Sequence, residues 1–291
     1  MSNGFLVIDK EGGMTSHDVV AKMRKLLGTK RVGHAGTLDP MATGVLVLGT
    51  GNATKLLQYI VDGAKRYEAT ILLGTTTVSD DREGEVIATK DSLHITDEEI
   101  HSGLAKYVGK IQQRPSSVSA IKVDGKRAHE RVRDGEVVEL PAREVEITSI
   151  NVLEIRRSTF VEIDIVVECG AGTYIRAIAR DLGEALEVGG HLTSLRRTLV
   201  SPFDISVATK LGDFTPDQVI PTLAGISKIL PTRSLTFDEM AEISFGRALD
   251  PNPGPGLFAA ASPDGRFAAL LENREISGKS SAHPTLVAVK E

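Results

Sequence analysis

One carboxylate, Asp39, sits in a twelve-residue stretch from Gly33 to Gly44 that reads Gly-His-Ala-Gly-Thr-Leu-Asp-Pro-Met-Ala-Thr-Gly. Three glycines and a proline within it forbid a regular helix or strand and turn the backbone sharply, so the loop presents its acid and does not bury it. An acid displayed in this way can attack an electrophilic carbon, remove a proton, or stabilise positive charge that develops beside it. Just upstream, Lys22, Arg24, Lys25, Lys30 and Arg31 follow one another with no acidic residue between them. Such a local field suits phosphates. An acid behind a basic entrance points to an enzyme acting on nucleic acid, with Lys22, Lys25, Lys30 and Arg31 meeting the backbone.

Several elements must position this loop. Gly4 to Asp9 is an expected strand, followed by a Gly12-Gly13 turn and a helix with Ser16 as its N-cap. Val19, Val20, Met23, Leu26 and Leu27 form the apolar face of that helix, Gly28 ends it, and Lys22 and Lys25 lie on the opposite face. Further on, a strand is expected over Val45 to Leu48, a helix over Ala53 to Val61 and a strand over Tyr67 to Leu73. An acidic, threonine-rich turn comes next, then a helix opened by Thr96 with Ile100, Leu104 and Tyr107 at core spacing. Glu144 to Ile155 and Phe160 to Cys169 read as an antiparallel strand pair, the second alternating Val161, Ile163, Ile165 and Val167 with Glu162 and Asp164. Gly170 and Gly172 turn the chain into a helix from Tyr174 to about Leu186.

The chain has 291 residues, 41% of them hydrophobic, enough for one large domain with an appendage or for two ordinary domains. Its net charge of -5 confines any nucleic-acid site to a local basic patch. The lone Cys169 forms no internal disulfide and no thiolate metal site, and the seven histidines are scattered, so no metal is implied. Phe5 to Ile8 is too short an apolar run for a signal peptide, and no stretch approaches a membrane span, which makes the cytoplasm the expected location. The strands look mostly antiparallel and no Gly-x-Gly-x-x-Gly follows one, so the fold class is α+β.

Lys30 to Gly44, with Asp39 at its centre, resembles the signature of the TruB family of tRNA pseudouridine synthases. Three further blocks agree in order and spacing: Ala53-Thr54-Lys55 with Lys65-Arg66-Tyr67; Gly172-Thr173-Tyr174-Ile175-Arg176; and His191-Leu192 with Leu195-Arg196-Arg197. The resemblance covers residues 4 to 200 closely. It implies a pseudouridine synthase fold over 1–229, a mixed, largely antiparallel sheet with flanking helices, and a small β-rich, PUA-like RNA-binding domain over 230–291. It also implies an RNA-clamping insertion over 112–140, where Lys122, Lys126, Arg127, Arg131 and Arg133 supply charge. In that insertion the chain departs from the family: 114–120 lacks a second proline and a tyrosine, and Ala128-His129 replaces a tyrosine-containing pair.

The resemblance assigns roles as well. Asp39 is the catalytic acid and Arg176 its ionic partner; Tyr67 stacks on the flipped uracil and can serve in proton transfer; Tyr174 and Leu195 line the pocket. His34 packs against RNA bases as the uridine is extruded. The reaction detaches uracil at N1 and rejoins it through C5, which leaves the oxidation state unchanged and calls for no redox cofactor. Asp39 could attack C1′, attack the ring or abstract the C2′ proton. The expected substrate is the T-arm stem-loop of tRNA, modified at the T-loop uridine (position 55) by a monomer without an obligate protein partner. The alternatives are a guide-RNA-dependent synthase of the same superfamily and an RNA-folding chaperone whose role does not need catalysis.

Overall fold

The computed structural model describes residues 3–118 and 140–288, and the backbone alone at 122–123 and 126–127. Most of the 112–140 insertion, with the side chains of its basic residues and with Ala128 and His129, lies outside the described residues. Strand β1 (Gly4–Lys10) leads to α1 (Ser16–Leu26), β2 (Val32–His34) and β3 (Thr43–Thr50). Short α2 (Gln58–Val61) precedes β4 (Lys65–Leu73), and a hairpin of β5 (Thr75–Thr77) and β6 (Val86–Thr89) precedes α3 (Asp97–Ala105) and β7 (Gly109–Gln113). The two-residue strands β8 (Lys122–Val123) and β9 (Lys126–Arg127) pair with each other. Then come β10 (Arg143–Arg157), β11 (Val161–Cys169), α4 (Ile175–Ala185) and β12 (Gly190–Val200).

The main sheet adds β13 (Phe203–Asp204), β14 (Thr209–Lys210) and β15 (Ile220–Pro221) and runs in the order β14-β1-β3-β12-β4-β11-β10-β7. Its pairings are antiparallel except β1 with β14 and β3 with β12, which makes the fold α+β with a mixed sheet. Alternation decides which face each side chain takes. In β11, Val161, Ile163, Ile165, Val167 and Cys169 are buried against α1, α3 and α4, while Glu162, Asp164 and Glu168 turn outward. That outer face neutralises its own cations in the pairs Arg66–Glu168, Arg156–Asp164 and Arg196–Asp9.

After α5 (Thr222–Ile226), a second sheet forms in the order β16 (Thr232–Ser234), β17 (Leu257–Ala261), β18 (Phe267–Ile276) and β19 (Lys279–Val287), with α6 (Phe237–Ser244) beside it. Its Ala259, Phe267 and Leu270 share one buried cluster with Phe5, Val47 and Phe203 of the first sheet and Ile226 of α5. An apolar core continuous between the two sheets opposes their relative motion.

Two local expectations are corrected. The N-cap of α1 is Thr15, not Ser16: Thr15 and Asp18 form the reciprocal capping box, which a residue already inside the helix cannot do. The expected helix over 53–61 is a 3-10 turn at Gly51–Lys55 followed by α2. This segment lies against Gly49 so closely that a Cβ there would stand 2.9 Å from the Ala53 carbonyl carbon, and the tighter turn fits that space.

Helix α4, which carries Arg176, is set by a similar approach. A Cβ on Gly183 would fall 2.2 Å from the carbonyl carbon of Gly189, and Gly183 O accepts from the N–H groups of Val188 and Gly189. We therefore expect Gly183→Ala to destabilise the protein by about 3 kcal/mol. Thermal unfolding should register a fall of roughly 5 °C in Tm; an unchanged Tm would show that the helix shifts at no cost.

Candidate active site

The loop bearing Asp39 joins β2 to β3, and side chains from three other elements grip its backbone. Ser16 Oγ, from α1, donates to Leu38 O at 3.1 Å and accepts from Leu38 N at 2.9 Å. Lys10 Nζ, at the end of β1, donates to Pro40 O at 3.2 Å and to the carbonyls of Glu11 and Met14 at 2.9 and 2.8 Å. Burial pushes that ammonium's pKa down to about 8, against the opposing attraction of Asp39. Arg197, from β12, donates to Gly36 O and Thr37 O, both at 3.3 Å. Beneath, Leu38, Met41 and Ala42 are buried in the core. A glycine-rich loop is thereby rigid, and its Asp39 side chain remains one-third exposed.

Arg176, in the first turn of α4, meets that carboxylate. Its Nε lies 2.9 Å from Oδ2 in an ionic contact not aligned for a hydrogen bond, and its Nη2 donates to Oδ1 at 3.2 Å. The guanidinium is nearly fully buried, so leaving it unpaired would cost several kcal/mol. Its two Nη groups have further partners: Nη1 gives to Ser79 O at 2.7 Å and lies 3.4 Å from Asp81 Oδ2, and Nη2 gives to Val118 O at 2.9 Å.

The threonine-rich turn after β5 supplies the other half of this arrangement. Asp80 has a left-handed φ of 59°, a conformation that aspartate tolerates, and it sends two adjacent carboxylates to two arginines one helical turn apart. Asp81 faces Arg176, and Asp80 lies 3.2 Å from Arg180. Asp81 is fixed by Ser79 Oγ at 2.6 Å and Glu83 N at 3.0 Å. Burial raises the pKa of Asp80, against the pull of its cationic neighbours. From β7, Gln113 holds the start of α4 through both the N–H and the C=O of Tyr174, at 2.9 and 3.0 Å.

Tyr67, on β4, is buried directly across from Arg197 of β12, and burial raises the pKa of its phenol. Leu195, two residues before Arg197 on the same strand, is buried as well. His34 ends β2, half-buried, edge-on to His17 with ring centroids 5.5 Å apart. Its Nδ1 is shut off from solvent and has no hydrogen-bond partner among the described residues, and burial followed by the neighbouring His17 lowers its pKa. Lys22, Lys25, Lys30 and Arg31 are exposed, and none is in an ion pair among the described residues. The four arginines after residue 230, by contrast, are all paired: Arg233 with Glu239, Arg247 with Glu242, Arg266 with Asp264 and Arg274 with Glu272.

Asp39 and Arg176, expected to be partners, are therefore in contact. The gripping residues Lys10, Ser16 and Arg197, and the Asp81 behind Arg176, escaped the sequence reading. Only the run of small hydroxyl residues ending in two aspartates, 75–81, hinted at the last. Among the described residues no His, Cys, Asp and Glu cluster could hold a metal ion, and no helix is long and apolar enough to cross a membrane.

Known proteins resemble this chain along its whole length. In solved structures the fold matches a chain of an H/ACA ribonucleoprotein bound to a substrate RNA containing 2′-deoxyuridine, with a TM-score of 0.72 and 23% identity over 99% of this chain and 85% of that one. A Cbf5-Nop10-Gar1 complex gives 0.71 and 25% over 98% and 85%. Residues 24–175 match the N-terminal domain of TruB family pseudouridylate synthases, 176–221 the C-terminal domain of tRNA pseudouridylate synthase B, and 230–282 the C-terminal part of tRNA pseudouridine synthase II, consistent with a PUA-like domain. Fold and site together define a pseudouridylate synthase. Proteins named tRNA pseudouridine synthase B from Rhodococcus jostii and Corynebacterium efficiens are 52% and 49% identical, over 93% and 94% of this chain and 90% and 93% of theirs. The chain belongs to the TruB family.

The two carboxylates around Arg176 should differ in what their removal costs. Asp81 is buried, and Asp81→Ala strips Arg176, Ser79 and Glu83 of an acceptor at once, for about 3 kcal/mol. Asp39 is partly solvated, so Asp39→Ala should cost clearly less. Urea unfolding of both variants tests this; equal losses would contradict the difference in burial.

Proposed function

We propose that this protein isomerises the T-loop uridine, position 55, of tRNA to pseudouridine, with Asp39 as its catalytic carboxylate. The observation that carries the reading is the partly exposed Asp39 on a rigid loop, paired with the buried Arg176, in a member of this family. Relatives named for action on tRNA support the substrate class.

In the proposed mechanism the uridine is flipped out of the folded T-arm and stacks on Tyr67, with Tyr174 and Leu195 lining its pocket. Stacking of one base contributes roughly 1 to 3 kcal/mol, of the same order as unstacking one nucleotide. His34 packs against the bases that the flipped nucleotide leaves behind. As the C1′–N1 bond weakens, positive charge grows on the sugar, and the ionised Asp39 is the group to meet it. Arg176 holds that carboxylate in place through its contacts to both oxygens. Uracil stays in the site, turns, and bonds to C1′ through C5; the C5 proton leaves and N1 takes one up, so no cofactor enters. The phosphates are met by Lys22, Lys25, Lys30 and Arg31, none of which is in an ion pair among the described residues. Action by a single subunit on bare tRNA, without a guide RNA, is part of the proposal.

Incubation with unmodified tRNA transcript, followed by mapping of pseudouridine, should give product at position 55 with the wild type. Asp39→Asn should lower the rate roughly 10⁴-fold or more while tRNA binding persists. Absence of wild-type product, or undiminished product with the variant, would refute the reading. A Lys22→Glu and Lys25→Glu double variant should weaken binding of every tRNA alike and reduce the slope of log affinity against log salt by about 2, one for each lost phosphate contact. An unaltered slope would remove these lysines from the RNA path.

A further inference from the structure

Arg197 heads the largest side chains wholly withdrawn from solvent, and beyond its grip on the loop the proposed mechanism gives it no part. Among the described residues its guanidinium has no carboxylate within ion-pairing distance, whereas Arg176 has two. Backbone carbonyls take its donors instead: Nε gives to Val45 O at 2.8 Å, Nη1 to Thr37 O and Nη2 to Gly36 O, both at 3.3 Å. Gly36 and Thr37 precede Asp39, and Val45 follows it, so one planar group spans the loop from end to end. The fit is close on the backbone side too: Gly44, with φ of 98°, would carry a Cβ only 2.2 Å from Arg197 O. Carbonyl dipoles solvate a cation without cancelling its charge. That charge acts outward, opposing protonation of Lys10, Lys65 and His34 around it. Across the β12–β4 pairing it stands opposite Tyr67, in register and buried beside it.

We propose that Arg197 is a positioning residue of the pseudouridine reaction, bracing the Asp39 loop on both sides and keeping an uncancelled positive charge beside Tyr67 that stabilises the departing uracil anion. The inference rests on the reading that this protein makes pseudouridine. When the C1′–N1 bond breaks, its electron pair leaves with the base and spreads over N1, O2 and O4, while C1′ becomes electron-poor beside Asp39. The negative charge disappears once C1′–C5 has formed, C5 has lost its proton and N1 has gained one, so no oxidant or reductant is needed. A fixed cation in a water-poor site favours the moment of greatest charge separation, and a single preorganised group of this kind is worth about 10²- to 10³-fold in rate. A purely structural brace would affect all substrates alike.

The test uses that difference. Single-turnover loss of the target nucleoside is measured on RNA carrying uridine or 5-fluorouridine, whose electron-withdrawing fluorine stabilises the anion without the protein's help. Arg197→Gln should slow uridine conversion about a hundredfold, with half-saturating RNA concentration nearly unchanged. On 5-fluorouridine the defect should shrink at least about tenfold. Arg197→Lys keeps the charge and should stay within about tenfold of wild type on uridine. If the glutamine variant fails to fold by circular dichroism, the lysine variant carries the same comparison, its smaller defect again shrinking on 5-fluorouridine. Equal defects on the two nucleosides, or none, would overturn the proposal. A wild type that makes no pseudouridine at all would sink the parent reading instead, so the two failures are distinct.

Discussion

A guanidinium withdrawn from water beside a carboxylate that must stay partly in it is the constraint around which this molecule is built. Arg176 can be buried only because Asp39, Asp81 and the carbonyls of Ser79 and Val118 surround it. They come from three different stretches of chain. The loop after β2, the turn after β5 and the segment after β7 must all arrive at the first turn of α4, or a charge is left unpaired in the interior. Tertiary order here is thus enforced electrostatically as well as by apolar packing.

The loop itself shows a second principle. Glycine and proline give Gly33 to Gly44 its shape but no hold on that shape, since glycine loses more conformational freedom on folding than any other residue. Rigidity is supplied from outside, by Ser16, Lys10 and Arg197, each donating to a loop carbonyl and each at least mostly buried. A side chain held to sub-ångström tolerance by a distant supporting shell is what chemistry on a single carboxylate demands.

Charge is distributed unevenly for a protein of net charge -5. Arg66, Arg156 and Arg196 of the main sheet and the four arginines after residue 230 lie in ion pairs, while Lys22, Lys25, Lys30 and Arg31 of α1 and the approach to β2 do not among the described residues. Long-range attraction for phosphate is therefore concentrated beside the loop, although the chain as a whole is acidic. The shared apolar cluster packs the second sheet against the first.

Much of this was legible in the chain alone. The period-two alternation of β11, the capping residues of α3 and the composition of the Asp39 loop are local properties, written in neighbouring residues, and the structure bears them out. The α1 cap was misplaced by one residue and the 53–61 segment read as a single helix, because competing hydroxyls and a close approach to Gly49 are resolved only by contacts. The order of motif blocks pointed to the partnership of Asp39 with Arg176, residues separated by 137 positions. Nothing local could reveal Asp81, Lys10, Ser16 or Arg197 as its supports. Their work depends on which carbonyl or guanidinium faces them across the fold, and a buried donor takes its meaning from the acceptor that tertiary structure brings to it.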